Sequence, residues 1–186
     1  YKDLREKEEG VDSMVMTSLV DSEYPVPIIS AIIERDSPSG KEILVQTRIA
    51  GYDDMYRGTI EIPAGRIERF ENIRDAIVRE VKEETGLDAI EINPDIPRTE
   101  LRTSKNDAAI VFTTYCCQQL LRGNIPWIGF VFLCKVKGKL QPAKGETKDP
   151  KWMNVNELKV IIENTPEKIF TLQLPVLDYY IKQQHE

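Results

Sequence analysis

The sequence predicts an α/β sandwich. Short β-branched runs alternate with turn signals, one strongly periodic helix stands mid-chain with glycine just past its end, and two further helical patterns follow near the C-terminus. Nothing splits the chain: Pro and Gly are scattered singly, and there is no low-complexity tract and no internal repeat. At 186 residues, 41% hydrophobic and 30% charged, one folding unit is expected. A chain of this size buries roughly 70% of the surface its unfolded form exposes, so neither disulfides nor a structural metal is needed to hold it.

Taken in order, Pro27 to Arg35 and Glu42 to Arg48 read as two strands joined by the turn Ser37-Pro38-Ser39-Gly40. Thr59 to Ile62 is a third strand, stopped by Pro63 and followed by a loop from Ala64 to Glu71. The helix runs from about Asn72 to Thr85 and closes on Gly86. Strands are expected at about Asp88 to Ile92, Ala108 to Tyr115, Ile128 to Val136 and Lys151 to Asn154. Asn154 with Glu157 three residues on starts a helix over Glu157 to Glu163, and Pro175 to Gln184 is the last helix.

The helix is informative because acids share its apolar stripe. With Ile73 at zero and about 100° per residue, Ile77 falls near 40° and Val81 near 80°. Glu84 falls at about 20°, Glu80 at about 340° and Glu83 at about 280°, while Arg74, Asp75 and Lys82 take the polar face. A carboxylate turned toward a core costs several kcal/mol unless it is paired. Either the acids pair with Arg or Lys along the helix, or the last turn emerges into water, or a cation sits there. A helix C-terminus also disfavours carboxylates. If a cation is the answer, all-oxygen ligands select Mg²⁺ or Mn²⁺ over Zn²⁺.

Composition excludes other classes. Twenty-five Lys plus Arg against 31 Asp plus Glu leaves a net charge of −6, which argues against a nucleic-acid grip, RNA decapping included. A small anionic substrate held through divalent cations remains compatible with it. No apolar run approaches a membrane span, since even Ile125 to Val136 is short and contains Gly129. Cys116 and Cys117 are adjacent and Cys134 is isolated, neither a disulfide framework nor a metal spacing. Buried thiols in a reducing cytoplasm are expected, and the charged first residues carry no signal peptide. The start at Tyr1 points to residues upstream. The sole histidine, His185, is in the tail, so histidine catalysis is excluded. Trp127, Trp152 and Tyr179-Tyr180 are read as core or interface.

Gly65, five residues, Glu71, seven residues, then Arg79-Glu80-Val81-Lys82-Glu83-Glu84-Thr85-Gly86-Leu87 resembles the signature of the Nudix hydrolases, with every specified position matched. The likeness extends from about Pro27 to Glu163, although only this box is diagnostic. It implies an α/β/α sandwich with a mixed sheet, and Mg²⁺- or Mn²⁺-dependent hydrolysis of a nucleoside diphosphate linked to another moiety. Glu80, Glu83, Glu84 and the Gly65 carbonyl would hold metal, Glu71 would support them, and Arg79 would pair with Glu71 to orient the loop. Glu80 and Glu84 would then be catalytic through the ions. Glu146, in the loop Lys144-Gly145-Glu146-Thr147-Lys148-Asp149, resembles the later loop acid that serves as an extra ligand or general base, the alternative being a solvated loop residue.

Arg48, Arg57, Arg98 and Arg102 sit at strand ends or in loops, where one or two would bind phosphates or a ribose and the rest would serve solvation. The lead Glu61-Ile62-Pro63-Ala64-Gly65 is similar to that of ADP-ribose and nucleotide-sugar pyrophosphatases, but Thr103 stands near where many of them have proline. ADP-ribose or a related nucleotide sugar is therefore the first substrate reading and a nucleoside triphosphate the second. A non-catalytic nucleotide-sensing module would not need the intact acid set. Residues 1–26 form an N-terminal extension to a single domain over 27–186. Val15, Met16, Leu19 and Val20 in it would either cover a partner subunit in a homodimer or pack on their own domain.

Overall fold

Two apolar clusters on opposite faces of one sheet organise the molecule. The structure is a computed structural model that describes residues 24–49, 56–97, 101–102, 104–123, 125–141 and 147–184. Strand β1 (Val26–Ser37) is central because its residues are apolar on both faces, as a strand covered on both sides requires. Ile29, Ala31 and Ile33 enter one cluster and Ile32 the other. Around β1 lie β2 (Gly40–Arg48), β3 (Ile60–Glu61), β4 (Ala64–Arg66), β5 (Asp88–Asn93), β8 (Cys116–Gln119), β9 (Trp127–Lys137) and β10 (Thr147–Asn154). The sheet order is β10-β2-β1-β9-β5, with β3 on β2, β4 on β1 and β8 on β9. β1 pairs parallel with β9 and antiparallel with β2, which makes the sheet mixed. A separate two-stranded ladder joins β6 (Leu101–Arg102) and β7 (Ala108–Ala109).

Helix α1 (Ile73–Thr85) covers one face with Ile73, Ala76, Ile77 and Val81. Helices α2 (Val155–Asn164) and α3 (Leu174–Gln183) cover the other through Leu158, Val176, Leu177, Tyr180 and Ile181. The predicted α/β/α sandwich is thus formed. Each fully buried aliphatic side chain in these layers contributes about 1.5–3 kcal/mol, which holds α1 firmly to the sheet. Its ends are set locally: the Asn72 side chain accepts from the Arg74 amide, and Gly86 at φ 73° sends its N–H to the Lys82 carbonyl. Asn154 caps α2 in the same way, through the Asn156 amide. Among the described residues no helix is long and apolar enough to cross a membrane.

Two expectations are corrected. The loop expected over 64–71 begins as strand β4, because Pro63 offers its carbonyl to the Ala31 amide and Ala64 to Arg66 then pair with Ser30 to Ile28. The strand expected from Ala108 to Tyr115 does not form as one element. Only Ala108–Ala109 pairs, with β6, and the strand that joins the sheet is Cys116–Gln119 on β9. Ile110 and Phe112 pack on the core from an irregular segment while Val111 is 85% exposed, so alternation alone mimicked a strand. Burial of the thiols holds for Cys134 but not for Cys117, which is exposed. Residues 1–23 of the N-terminal extension lie outside the described residues.

Candidate active site

The pairing of β4 on β1 sets Gly65 opposite Ile29 and brings the start of the box beside α1. A Cβ on Gly65 would run into the Glu80 carboxylate, so only glycine lets backbone and acid approach this closely. From there the box divides into two clusters.

The first is built on Arg79. Its Nε and Nη2 donate to the two oxygens of Glu71, each at 2.9 Å, and Nη2 also reaches the Arg66 carbonyl at 3.0 Å. Nη1 donates to Glu80 at 2.6 Å and to Glu83 at 3.3 Å. Glu71 accepts a further bond from the Glu68 amide at 2.9 Å. The guanidinium thus ties the loop to the helix by a two-pronged pair, the geometry only arginine supplies. The hydrogen bond from Arg79 holds the Glu71 carboxyl below the usual range, and the bond to Glu71 in turn raises Arg79.

The second cluster surrounds Glu84 and, among the described residues, brings no cationic side chain to it. Gln46 Nε2 of β2 donates to Glu84 Oε2 at 2.8 Å and the Ala64 amide donates to the same oxygen at 3.2 Å. Among the described residues no hydrogen bond is made to Glu84 Oε1. Burial pushes the Glu84 carboxyl up to about 8; the bonds from Gln46 and Ala64 lower it, and the charges of Glu61 and Glu80 raise it further. Glu80 is also raised, by burial first, against the pull of Arg79. Glu83 is 60% exposed and stands at the rim.

The remaining candidates divide. Arg48 donates to the buried Glu61 at 3.0 Å and lies over the Phe170 ring at 4.7 Å, so its positive end is engaged within the fold. Arg57 is exposed beyond the end of β2, and Arg102 lies in β6. Glu146 and Arg98 fall outside the described residues. The structure brings to the site two residues that the sequence did not place there, Gln46 and Glu61. They face each other across β2 and β3 and belong with Glu84. The signal was there: Gln46 interrupts the run Ile43-Leu44-Val45 on the face that period two shares with Leu44 and Arg48.

These donors suit a hard divalent cation. They are all oxygen, two of the carboxylates are partly stripped of water, and one oxygen of Glu84 has no partner among the described residues. Among the described residues no three such side chains converge tightly enough to hold an ion as they stand. Arg79 draws Glu80 and Glu83 to itself, and loading the site would mean Glu80 exchanging that contact.

Fold and box together define a Nudix domain, and a model of the NUDIX domain matches residues 25–173. The chain belongs to the Nudix family. A Caenorhabditis elegans protein described as a nudix hydrolase is 29% identical over 137 residues, 71% of this chain and 30% of that protein. An ADP-ribose pyrophosphatase of Methanocaldococcus jannaschii is 34% identical over 64 residues, 34% of either chain. The matched stretches thus span about a third of each curated relative. Among solved structures, a MutT protein from Methanosarcina mazei Go1 superposes with TM-score 0.58 at 16% identity, over 89% of this chain and all of its own. The NUDIX domain of Shewanella oneidensis NrtR, solved with ADP ribose, superposes with TM-score 0.54 at 12% identity, over 77% of this chain and 85% of that one. At these identities the structural likeness speaks for the fold.

Proposed function

We propose that this chain is a Mg²⁺- or Mn²⁺-dependent hydrolase that cleaves the pyrophosphate of a nucleoside diphosphate joined to another moiety, with ADP-ribose or a related nucleotide sugar as substrate. The observation that carries the reading is Glu84: a desolvated carboxylate with one oxygen pinned and the other without a partner among the described residues, one turn from Glu80. Such a group is costly to bury unless a cation meets it. When bound, divalent ions would neutralise charge on the phosphate oxygens and acidify a water.

The protein's own residues would do the rest. Glu84, Glu80, Glu83 and the Gly65 carbonyl would hold the ions, and Arg79 would keep Glu71 and the loop in place. Glu146 would take the proton of the attacking water, and Arg57 or Arg102 would bind the substrate's outer phosphate or ribose. The substrate class rests on the Glu61-Ile62-Pro63-Ala64-Gly65 lead and on the ADP-ribose pyrophosphatase among the relatives. The extension over 1–26 would cover a second subunit.

A panel of ADP-ribose, nucleotide sugars, dinucleotides and nucleoside triphosphates with Mg²⁺, with products identified, tests this. Expected are AMP and ribose 5-phosphate from ADP-ribose, and no turnover in excess chelator. Preferred release of pyrophosphate from triphosphates would overturn the substrate class, and undiminished turnover in chelator would overturn the mechanism.

A further inference from the structure

Gln46 lies in the middle of β2 and is 2% exposed, the polar member of the buried run Ile43 to Gln46. A buried amide is costly unless both of its ends find partners, and here only one does. Nε2 donates to Glu84 Oε2 at 2.8 Å, whereas Oε1 is buried with no partner among the described residues. Turning the amide round would set its carbonyl against Oε2, the Glu84 oxygen that already accepts from the Ala64 amide. Glu61, directly across the ladder, does not take up Gln46, since Arg48 donates to Glu61 at 3.0 Å.

The bond from Gln46 falls on the same oxygen as the Ala64 amide. Two donors from two strands therefore fix Glu84 Oε2, and the rotation left to the carboxylate is removed. Among the described residues Oε1 takes no bond from either. Among the described residues, two acceptors of the pair, Glu84 Oε1 and Gln46 Oε1, are left without a donor once Gln46 Nε2 and the Ala64 amide are spent on Glu84 Oε2. A cation and the waters it carries would meet both.

We propose that Gln46 is a positioning residue for the metal site, clamping Glu84 by Oε2 so that Oε1 is the oxygen offered to a divalent cation. This rests on the functional reading above, for Glu84 must be a ligand if its orientation is to matter. Gln46 itself is not a ligand and touches no substrate. Its role is to remove the rotational freedom of a side chain that α1 alone leaves loose.

Gln46→Met and Gln46→Leu keep bulk and lose the donor. Mn²⁺ affinity is measured on the free protein by the electron paramagnetic resonance of unbound Mn²⁺, without substrate. Melting is followed in chelator as the check on folding. Expected are melting temperatures at or above wild type, since an unpaired buried oxygen is removed, and Mn²⁺ binding weakened about tenfold or more. The kcat for ADP-ribose should fall with KM nearly unchanged. In a Glu84→Gln background the same substitutions should have no further effect on Mn²⁺ affinity, because Gln46 acts through Glu84. Wild-type affinity in both folded variants would overturn the proposal, and so would an equal loss added on top of Glu84→Gln. If Glu84→Gln itself binds Mn²⁺ like wild type, the metal reading falls, and the assignment of Gln46 falls with it. If Glu84→Gln loses affinity while Gln46→Met and Gln46→Leu do not, only the assignment of Gln46 falls.

Discussion

Glu71 and Glu84 belong to the same box, yet their surroundings drive them in opposite directions. Glu71 meets a guanidinium along both of its oxygens and is held below the ordinary carboxylate range. Among the described residues Glu84 meets an amide side chain and a backbone N–H, both on one oxygen, and burial pushes it up to about 8. Glu80 stands between them, raised by burial and pulled back by Arg79. The Arg79 cluster is closed in that a full positive charge faces its three acids directly. The Glu84 cluster is open, its carboxylate held by dipoles that fix direction without cancelling charge. The first ties loop to helix, and the second is where the proposed function would put a cation.

That contrast is broken most sharply by Glu84→Gln. The donors on Gln46 and Ala64 will take the new amide's oxygen, which turns its NH₂ group toward the position a cation would occupy. The kcat should fall by on the order of 10² or more, while stability in chelator holds or rises, as a melt would show. Full turnover would mean that the open cluster is not the site.

Arg79→Ala tests the closed cluster. Glu71, Glu80 and Glu83 lose their cation together and the Arg66 carbonyl loses a donor. A destabilisation of about 2 kcal/mol is expected, lowering Tm by roughly 4–8 °C. A melt unchanged from wild type would show that the tie is solvated and weak, as most exposed pairs are.

A last effect sharpens the comparison through pH. Glu84 in the folded protein binds its proton with a pKa of about 8 against an ordinary value of 4.5, so in chelator the folded state holds more protons than the unfolded one across that window. The contribution is fully present below pH 4.5 and is lost as pH rises toward 8. Glu80 adds in the same direction. Glu71, whose value is lowered, contributes stability only above its unfolded value and loses it as pH falls. Tm in chelator should decline across the window, and Glu84→Gln should flatten most of the decline. A slope unaltered in that variant would place the raised group elsewhere.

Much of this was legible because it is local. Helix α1 was set by period and caps within its own residues, from Asn72 to Gly86. The sharing of one stripe by Glu80 and Glu84 with Ile77 and Val81 followed from helix geometry alone. The tie from Arg79 to Glu71 came from the family resemblance, and the structure forms it. What stayed hidden depended on partners distant in sequence. Ala64 to Arg66 became a strand because β1 offered a free edge of backbone groups. Ile110 and Phe112 buried themselves without a ladder. Gln46 meets Glu84 from 38 residues away, and only the register of β2 with β3 and β4 with β1 brings them together.

The central claim is that Glu84 is an open, desolvated carboxylate awaiting a cation. Calorimetric titration of Mn²⁺ into the protein at neutral pH, repeated in buffers of different ionisation heat, counts the protons that leave as the ion enters. Because burial holds Glu84 protonated below about 8, the wild-type protein should bind Mn²⁺ with release of about one proton, and Glu84→Gln should bind more weakly with no such release. Binding of equal strength in both proteins with no proton released in either would contradict the account.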